Sequence, residues 1–179
     1  AFVDVGYEKD AFLHYTDLGP KIKTAMKVAT QAISGNLTDP MLTNLQYEKE
    51  ILKTGKMPEV LEKRQPLLVQ VLKEPISTKG PRLTSEIAIP GRYLILMPYG
   101  NSVGISKKVS SNEERKRLQI LIESIKPKNF GVVVRTVAQN KSVSEIDADL
   151  KSLLEKWKQI QTNLKGATAP QKIYGELKK

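Results

Sequence analysis

The stretch Lys73-Glu-Pro-Ile-Ser-Thr-Lys79-Gly-Pro-Arg82-Leu-Thr-Ser-Glu-Ile-Ala-Ile-Pro-Gly91-Arg-Tyr-Leu-Ile-Leu-Met-Pro98 decides how this chain divides. It sets Lys73, Lys79, Arg82 and Arg92 around a Gly-Pro turn and leads into Tyr93–Met97, which reads as a buried strand. Glycine lets a backbone approach a ligand closely, and proline stiffens the turn. Cations on such a scaffold suit a phosphate backbone better than cations on a floppy tail.

The 179 residues suffice for one sizeable domain or two small ones. With 40% hydrophobic and 27% charged residues the balance is that of a globular chain, not a disordered one. Lysine plus arginine number 29 against 19 acidic residues, a net charge of +10. A polyanionic partner follows from that excess, as does the plainer reading of a positive face that keeps the protein monomeric. The absence of cysteine excludes disulfides and cysteine-based zinc sites in these residues, and His14 alone cannot build a multi-histidine metal centre. No apolar run reaches the roughly 20 residues that span a bilayer, and no signal peptide is visible. Opening at Ala1 inside strand-like sequence, the chain reads as a piece of a longer protein.

Ala1–Tyr15 reads as a β-hairpin around Gly6–Asp10. Alternation puts Val3, Val5, Ala11 and Leu13 on one face and Phe2, Asp4, Phe12 and His14 on the other. Pairing centred on Tyr7 sets Phe2 opposite Phe12, which is either a stacking platform for nucleic-acid bases or a buried aromatic pair. Within 17–64, Thr24–Ile33 is expected to be a helix, Asp39-Pro40 a helix start and Glu48–Thr54 a further turn or two. Strands are expected at Pro66–Lys73, Arg82–Ile89, Arg92–Met97, Ser102–Lys108 and Phe130–Thr136. Ser111…Glu114 and Ser142…Glu145 are capping boxes, the first opening a helix that Pro127 stops. The second opens a long helix whose stripe (Val143, Ile146, Leu150, Leu153, Trp157, Ile160, Leu164) faces a core or a partner helix. Arg135-Thr136, at the end of an apolar strand, is equipped to grip a terminal phosphate, though such pairs are often only solvated. Asp147 and Asp149 tempt as magnesium ligands, yet residues two apart on a helix diverge, so both read as a solvated helix face.

The wording Ala-Phe-Val-Asp-Val-Gly, Ala-Phe-Leu, Thr-Lys-Gly and Gly-Val-Val-Val-Arg-Thr-Val resembles the ribonuclease E/ribonuclease G family of endoribonucleases. The resemblance implies an α+β chain: a partial S1 (OB-type) β-barrel over 1–80 with a helical insertion at about 17–64, then a small α/β 5′-sensor domain over 81–166. Residues 167–179 would link to a nuclease domain. The family's RNA-contacting residues fall on Phe2, Phe12 and Lys79, and its 5′-monophosphate contacts on Gly91, Ile95, Lys107, Arg135 and Thr136. The family pattern has arginine where Lys107 stands, and lysine cannot make the same bidentate fork. The implied parent is a cytoplasmic enzyme that hydrolyses single-stranded RNA in RNA processing and decay. Its Mg2+ ligands would lie outside this chain, leaving the fragment non-catalytic. The implied partners are single-stranded RNA, the nuclease domain and, in a homo-oligomer, further copies of the chain. Two other readings stay open: an OB-type RNA-binding module indifferent to the 5′ end, and a basic scaffold that docks an acidic protein.

Overall fold

The computed structural model describes residues 1–76 and 78–175. Ser77 of the opening stretch and the last four residues of the 167–179 tail lie outside them. The fold is α+β, with three helices and two four-stranded sheets, neither closed into a barrel among the described residues. The chain forms two compact units. One comprises 1–38, 46–87 and 160–179; the other comprises 39–45 and 88–159.

In the first unit, Phe2–Val3 (β1) and Ala11–Leu13 (β2) form the expected antiparallel hairpin, with Phe2 opposite Phe12. Arg82–Thr84 (β4) pairs parallel with β2 and antiparallel with Gln70–Lys73 (β3), giving the order β1-β2-β4-β3. Ala11, Leu13 and Leu83 are wholly buried with Leu18 and Ile22, so the Val/Ala/Leu face is the inner one. Helix α1, Ile22–Ile33, covers this core.

Part of the helical reading of 17–64 is corrected. Asp39-Pro40 starts no helix. Asp39 Oδ2 accepts from Asn44 N at 2.8 Å, and Leu42 sits at φ 58, which ends any right-handed run. Glu48–Thr54 is not helical either, because its backbone donors go elsewhere. Glu48 N donates to Thr24 Oγ1 at 2.9 Å and Ile51 N to Pro20 O at 3.0 Å. Ile51, Met57, Val60 and Leu61 pack on the core, so this irregular segment is a cover for the sheet.

The strand expected over Arg82–Ile89 is two strands in different sheets. Ser85 N and the Thr84 and Ser85 hydroxyls all donate to Asp17 O, which turns the chain out of the first sheet. Arg82, without an assigned role in the sequence, pairs with Asp17 at 3.0 Å.

The second unit orders its strands β5-β6-β8-β7: Ile89–Pro90 (β5), Leu94–Pro98 (β6), Val103–Ile105 (β7) and Phe130–Val134 (β8). Helix α2, Asn112–Ile125, carries the chain from β7 to its parallel partner β8. Ser111 Oγ caps it by accepting from Glu114 N at 3.3 Å. The reciprocal half of that box is not made, since Glu114 serves Arg117 and Asn140 N instead. The box opening α3, Val143–Leu164, closes both ways: Glu145 N donates to Ser142 Oγ at 3.2 Å and Ser142 N to Glu145 Oε2 at 2.9 Å. Along α3, Ile146, Leu150, Leu153 and Trp157 are buried while Val143 is exposed. Trp157 meets Phe130 and Tyr99 edge-on and donates from Nε1 to Pro40 O at 2.8 Å. The stripe up to Trp157 is therefore spent on this unit's own core.

Leu83 and Arg82 are neighbours on β4 with opposite exposure, which yields a paired expectation. Leu83→Ala should lower the unfolding free energy by about 2–5 kcal/mol, the cost of a cavity in a packed core. Arg82→Ala should cost below about 1 kcal/mol, because its ion pair is largely solvent-screened. Urea unfolding followed by circular dichroism measures both.

Candidate nucleic-acid interface

Strand β8 brings the second unit's chemistry to one place. It runs antiparallel to β6 and parallel to β7, with Leu94 and Ile105 both in register with Val134. The start of β6 and the ends of β7 and β8 therefore meet at one edge, the carboxyl ends of the two parallel strands. In open α/β sheets this is where ligands sit. Ser106 N donates to Val134 O at 2.9 Å and Arg135 N to Tyr93 O at 2.8 Å, extending the pairing past the strands.

Alternation does the rest. Leu94, Leu96, Val132 and Val134 are buried, while Ile95 and its register partner Val133 are half-buried on the opposite face. They line an open recess of about 360 Å³ with Ser106, Val134, Arg135, Thr136 and Val137. The Thr136 and Ser106 hydroxyls lie 2.8 Å apart. Lys107, exposed, follows Ser106 directly.

Four of the five residues expected at a phosphate site thus converge by hydrogen bonding or lining: Gly91, Ile95, Arg135 and Thr136. Arg135 Nη1 donates to Gly91 O at 2.7 Å and more weakly to Arg92 O at 3.4 Å. Its Nε and Nη2 groups have no hydrogen-bond partner among the described residues. The fifth, Lys107, is placed by the loop after β7, which Arg115 Nη1 braces by donating to Ser106 O at 2.8 Å and Val109 O at 3.0 Å. A planar guanidinium and two hydroxyls around an open recess can hold a tetrahedral anion through several hydrogen bonds, those from the guanidinium charge-assisted.

Three contributors escaped the sequence reading. Ser106 stands beside the lysine pair, and a hydroxyl at a strand end is its signal in the sequence. Glu114 occupies a capping-box position in the sequence, yet it accepts from Asn140 N and so fastens the loop that follows Thr136. Asp149 is not on a solvated face. Its carboxylate accepts from the backbone N–H groups of Arg92 (3.0 Å), Tyr93 (2.9 Å) and Leu94 (3.0 Å). Position 149 borders the buried stripe next to Leu150, which turns it toward the sheet. Asp147 instead pairs with Lys151 at 2.8 Å. Both oxygens of Asp149 are thus committed to the backbone of 92–94, and no three His, Cys, Asp or Glu side chains gather as metal ligands among the described residues.

In the first unit, Phe2 and Phe12 stay on the outer face, 77% and 40% exposed, with ring centroids 5.8 Å apart and planes tilted by 60°. His14 stands edge-on to Phe12 at 6.0 Å, and its Nδ1 accepts from Thr16 N. Lys79 is exposed and held by reciprocal backbone hydrogen bonds with Ile76 at 2.9 and 3.2 Å. Gly80 is required beside it: a Cβ there would lie 2.2 Å from Asp10 O. Phe12 N donates to Pro81 O at 2.8 Å, so the loop bearing Lys79 is fastened to the aromatic strand.

A sequence model of the Ribonuclease E/G family matches residues 88–179. Over 95% of its length the chain is 40% identical to ribonuclease E of Nostoc sp. strain PCC 7120 and 37% identical to that of Synechocystis sp. strain PCC 6803. It is 32% identical to ribonuclease G of Escherichia coli strain K12 over 99% of its length. The chain spans 21% of the two ribonucleases E and 32% of the ribonuclease G. No helix among the described residues is long and apolar enough to cross a membrane.

The Glu114–Asn140 tie carries a pH prediction. Glu114 is held below its ordinary value of 4.5, chiefly by the hydrogen bond from Arg117 and further by the Asn140 N–H, against the opposing effect of burial. A carboxyl depressed on folding contributes stability above its unfolded value, and that contribution is lost as pH falls through the lower folded value. Protection of the Asn140 amide from hydrogen exchange should therefore decline in acid. Glu114→Gln should show reduced protection already at neutral pH and no acid-dependent loss.

Proposed function

The chain belongs to the ribonuclease E/G family, and on that premise we propose that it is the RNA-binding, 5′-monophosphate-sensing part of an endoribonuclease acting on single-stranded RNA. The observation that carries this reading is the convergence of Arg135, Thr136, Ser106 and Ile95 on one open recess, with Gly91 O accepting from Arg135 beside it. Arg135 meets the phosphate with the guanidinium edge that the protein leaves unused, and Thr136 and Ser106 supply hydroxyls. Ile95 and Val137 form apolar walls for the first nucleotide. Lys107 adds a point charge without a bidentate fork, so it strengthens binding more than it sharpens discrimination.

The second contact is an S1-type face. Phe2 and Phe12 stack on bases and Lys79 meets a phosphate, as in other single-strand binders. This grip is indifferent to the 5′ end, and the net charge of +10 makes it salt-dependent. Cleavage belongs to Mg2+-dependent chemistry outside these residues in a cytoplasmic parent enzyme. Engaging the 5′ end favours that enzyme's cleavage-competent state by differential binding.

Fluorescence anisotropy with one short single-stranded RNA, carrying either a 5′ phosphate or a 5′ hydroxyl, tests the reading. The phosphorylated RNA should bind more tightly. Arg135→Ala should remove about 1.5–3 kcal/mol of that preference, the worth of hydrogen bonds to a charged group. Equal affinities unchanged by Arg135→Ala would leave only a generic RNA-binding module, and no binding at any salt would favour a protein-docking scaffold. Phe12→Ala should weaken both RNAs alike, by about 1–3 kcal/mol per stacked base lost.

A further inference from the structure

A carboxylate that accepts three backbone hydrogen bonds lies beside the proposed phosphate site without lining it. Asp149 Oδ1 accepts from Arg92 N, and Oδ2 accepts from both Tyr93 N and Leu94 N. Three successive backbone N–H groups converging on one anion form a nest, and here a side chain from α3 fills it. Gly91 N closes the same turn by donating to Leu94 O at 2.7 Å.

Gly91 fits this arrangement for a reason separate from ligand access. A Cβ there would lie 2.6 Å from Asp149 Oδ2 and 2.8 Å from Oδ1. The glycine is the space into which the carboxylate enters. Held from one side by Asp149, the turn presents the Gly91 and Arg92 carbonyls to Arg135 Nη1. One end of the guanidinium is thereby occupied, which fixes its plane.

We propose that Asp149 is the positioning residue of the 5′-phosphate site: it fixes the 91–94 turn, whose carbonyls orient Arg135 toward the recess. This rests on the 5′-phosphate reading above. Asp149 touches no RNA; it acts through the turn and then through Arg135. A guanidinium with one Nη already held has less freedom to lose when a phosphate arrives, so the gain falls on the 5′-phosphorylated ligand.

Asp149→Asn and Gly91→Ala attack the contact from its two sides, the first removing an acceptor and the second filling the carboxylate's place. Two readouts on the full chain test them. The first is the ratio of affinities for 5′-phosphate and 5′-hydroxyl RNA, expected to fall at least five-fold in each variant. The second needs no RNA: the Arg135 Nε–H signal in a 15N–1H correlation spectrum, expected to shift and broaden toward that of a freely rotating arginine. Thermal melting shows that each variant is folded, and Val28→Ala, buried on α1 in the first unit, serves as a control for general destabilisation. The control should lower the melting temperature and leave the affinity ratio and the Arg135 signal unchanged. An unaltered Arg135 signal in folded Asp149→Asn would overturn the inference whatever the RNA does. An unaltered ratio, where the unmodified chain discriminates, would overturn it and leave the 5′-phosphate reading standing. If the unmodified chain does not discriminate, the reading fails and the inference with it.

Discussion

The second unit depends on β8 having an antiparallel neighbour on one side and a parallel neighbour on the other. Backbone hydrogen bonding leaves little latitude once that pairing is set. The beginning of β6 and the ends of β7 and β8 must then share an edge, and a one-residue slip would move Ile95 and Val133 to the buried face. Gly91–Ile95 and Arg135-Thr136 become neighbours through main-chain geometry, although Gly91 and Arg135 are 44 positions apart in the chain. The side chains only finish what the ladder begins.

Around that edge the polar groups brace one another. Arg115 holds the loop of Ser106 and Lys107, Glu114 holds the loop after Thr136, and Asp149 holds the 91–94 turn. Each brace comes from a helix, and each helix is fixed by apolar burial, Leu118 and Ile122 on α2 and Leu150 and Leu153 on α3. Hydrophobic packing thus sets the helices, and the helices set the loops. In the first unit the logic is different. The aromatic pair rides on two short paired strands, Phe2 on β1 and Phe12 on β2, and the inner face of β2, Ala11 and Leu13, is covered by an irregular segment carrying Ile51, Met57, Val60 and Leu61.

Local patterns were legible in the sequence wherever one period dominated. The alternation of Phe2–Leu13 gave the hairpin and its outward rings, and the 3–4 spacing of Ile146–Trp157 gave the buried stripe. Residues 39–54 were not legible, because their hydrogen bonds run to partners such as Thr24 and Pro20, which no local pattern encodes. Arg82 and Asp149 failed for the same reason: their partners lie 65 and 55–57 residues away. The division at Ser85 was hidden too, since the hydroxyl that ends the strand binds Asp17 O and Leu18 O. The family resemblance supplied residue identities at the recess, while the braces became visible only in three dimensions.

The central claim is that the shared edge of β6, β7 and β8 receives a 5′ phosphate. A 15N–1H correlation spectrum of the chain, titrated with a single-stranded dinucleotide bearing a 5′ phosphate, tests it most directly. The account predicts saturable shifts concentrated at Ser106, Lys107, Arg135 and Thr136, much weaker with the 5′-hydroxyl dinucleotide. Shifts confined to Phe2–Leu13, or identical for the two ligands, would contradict it.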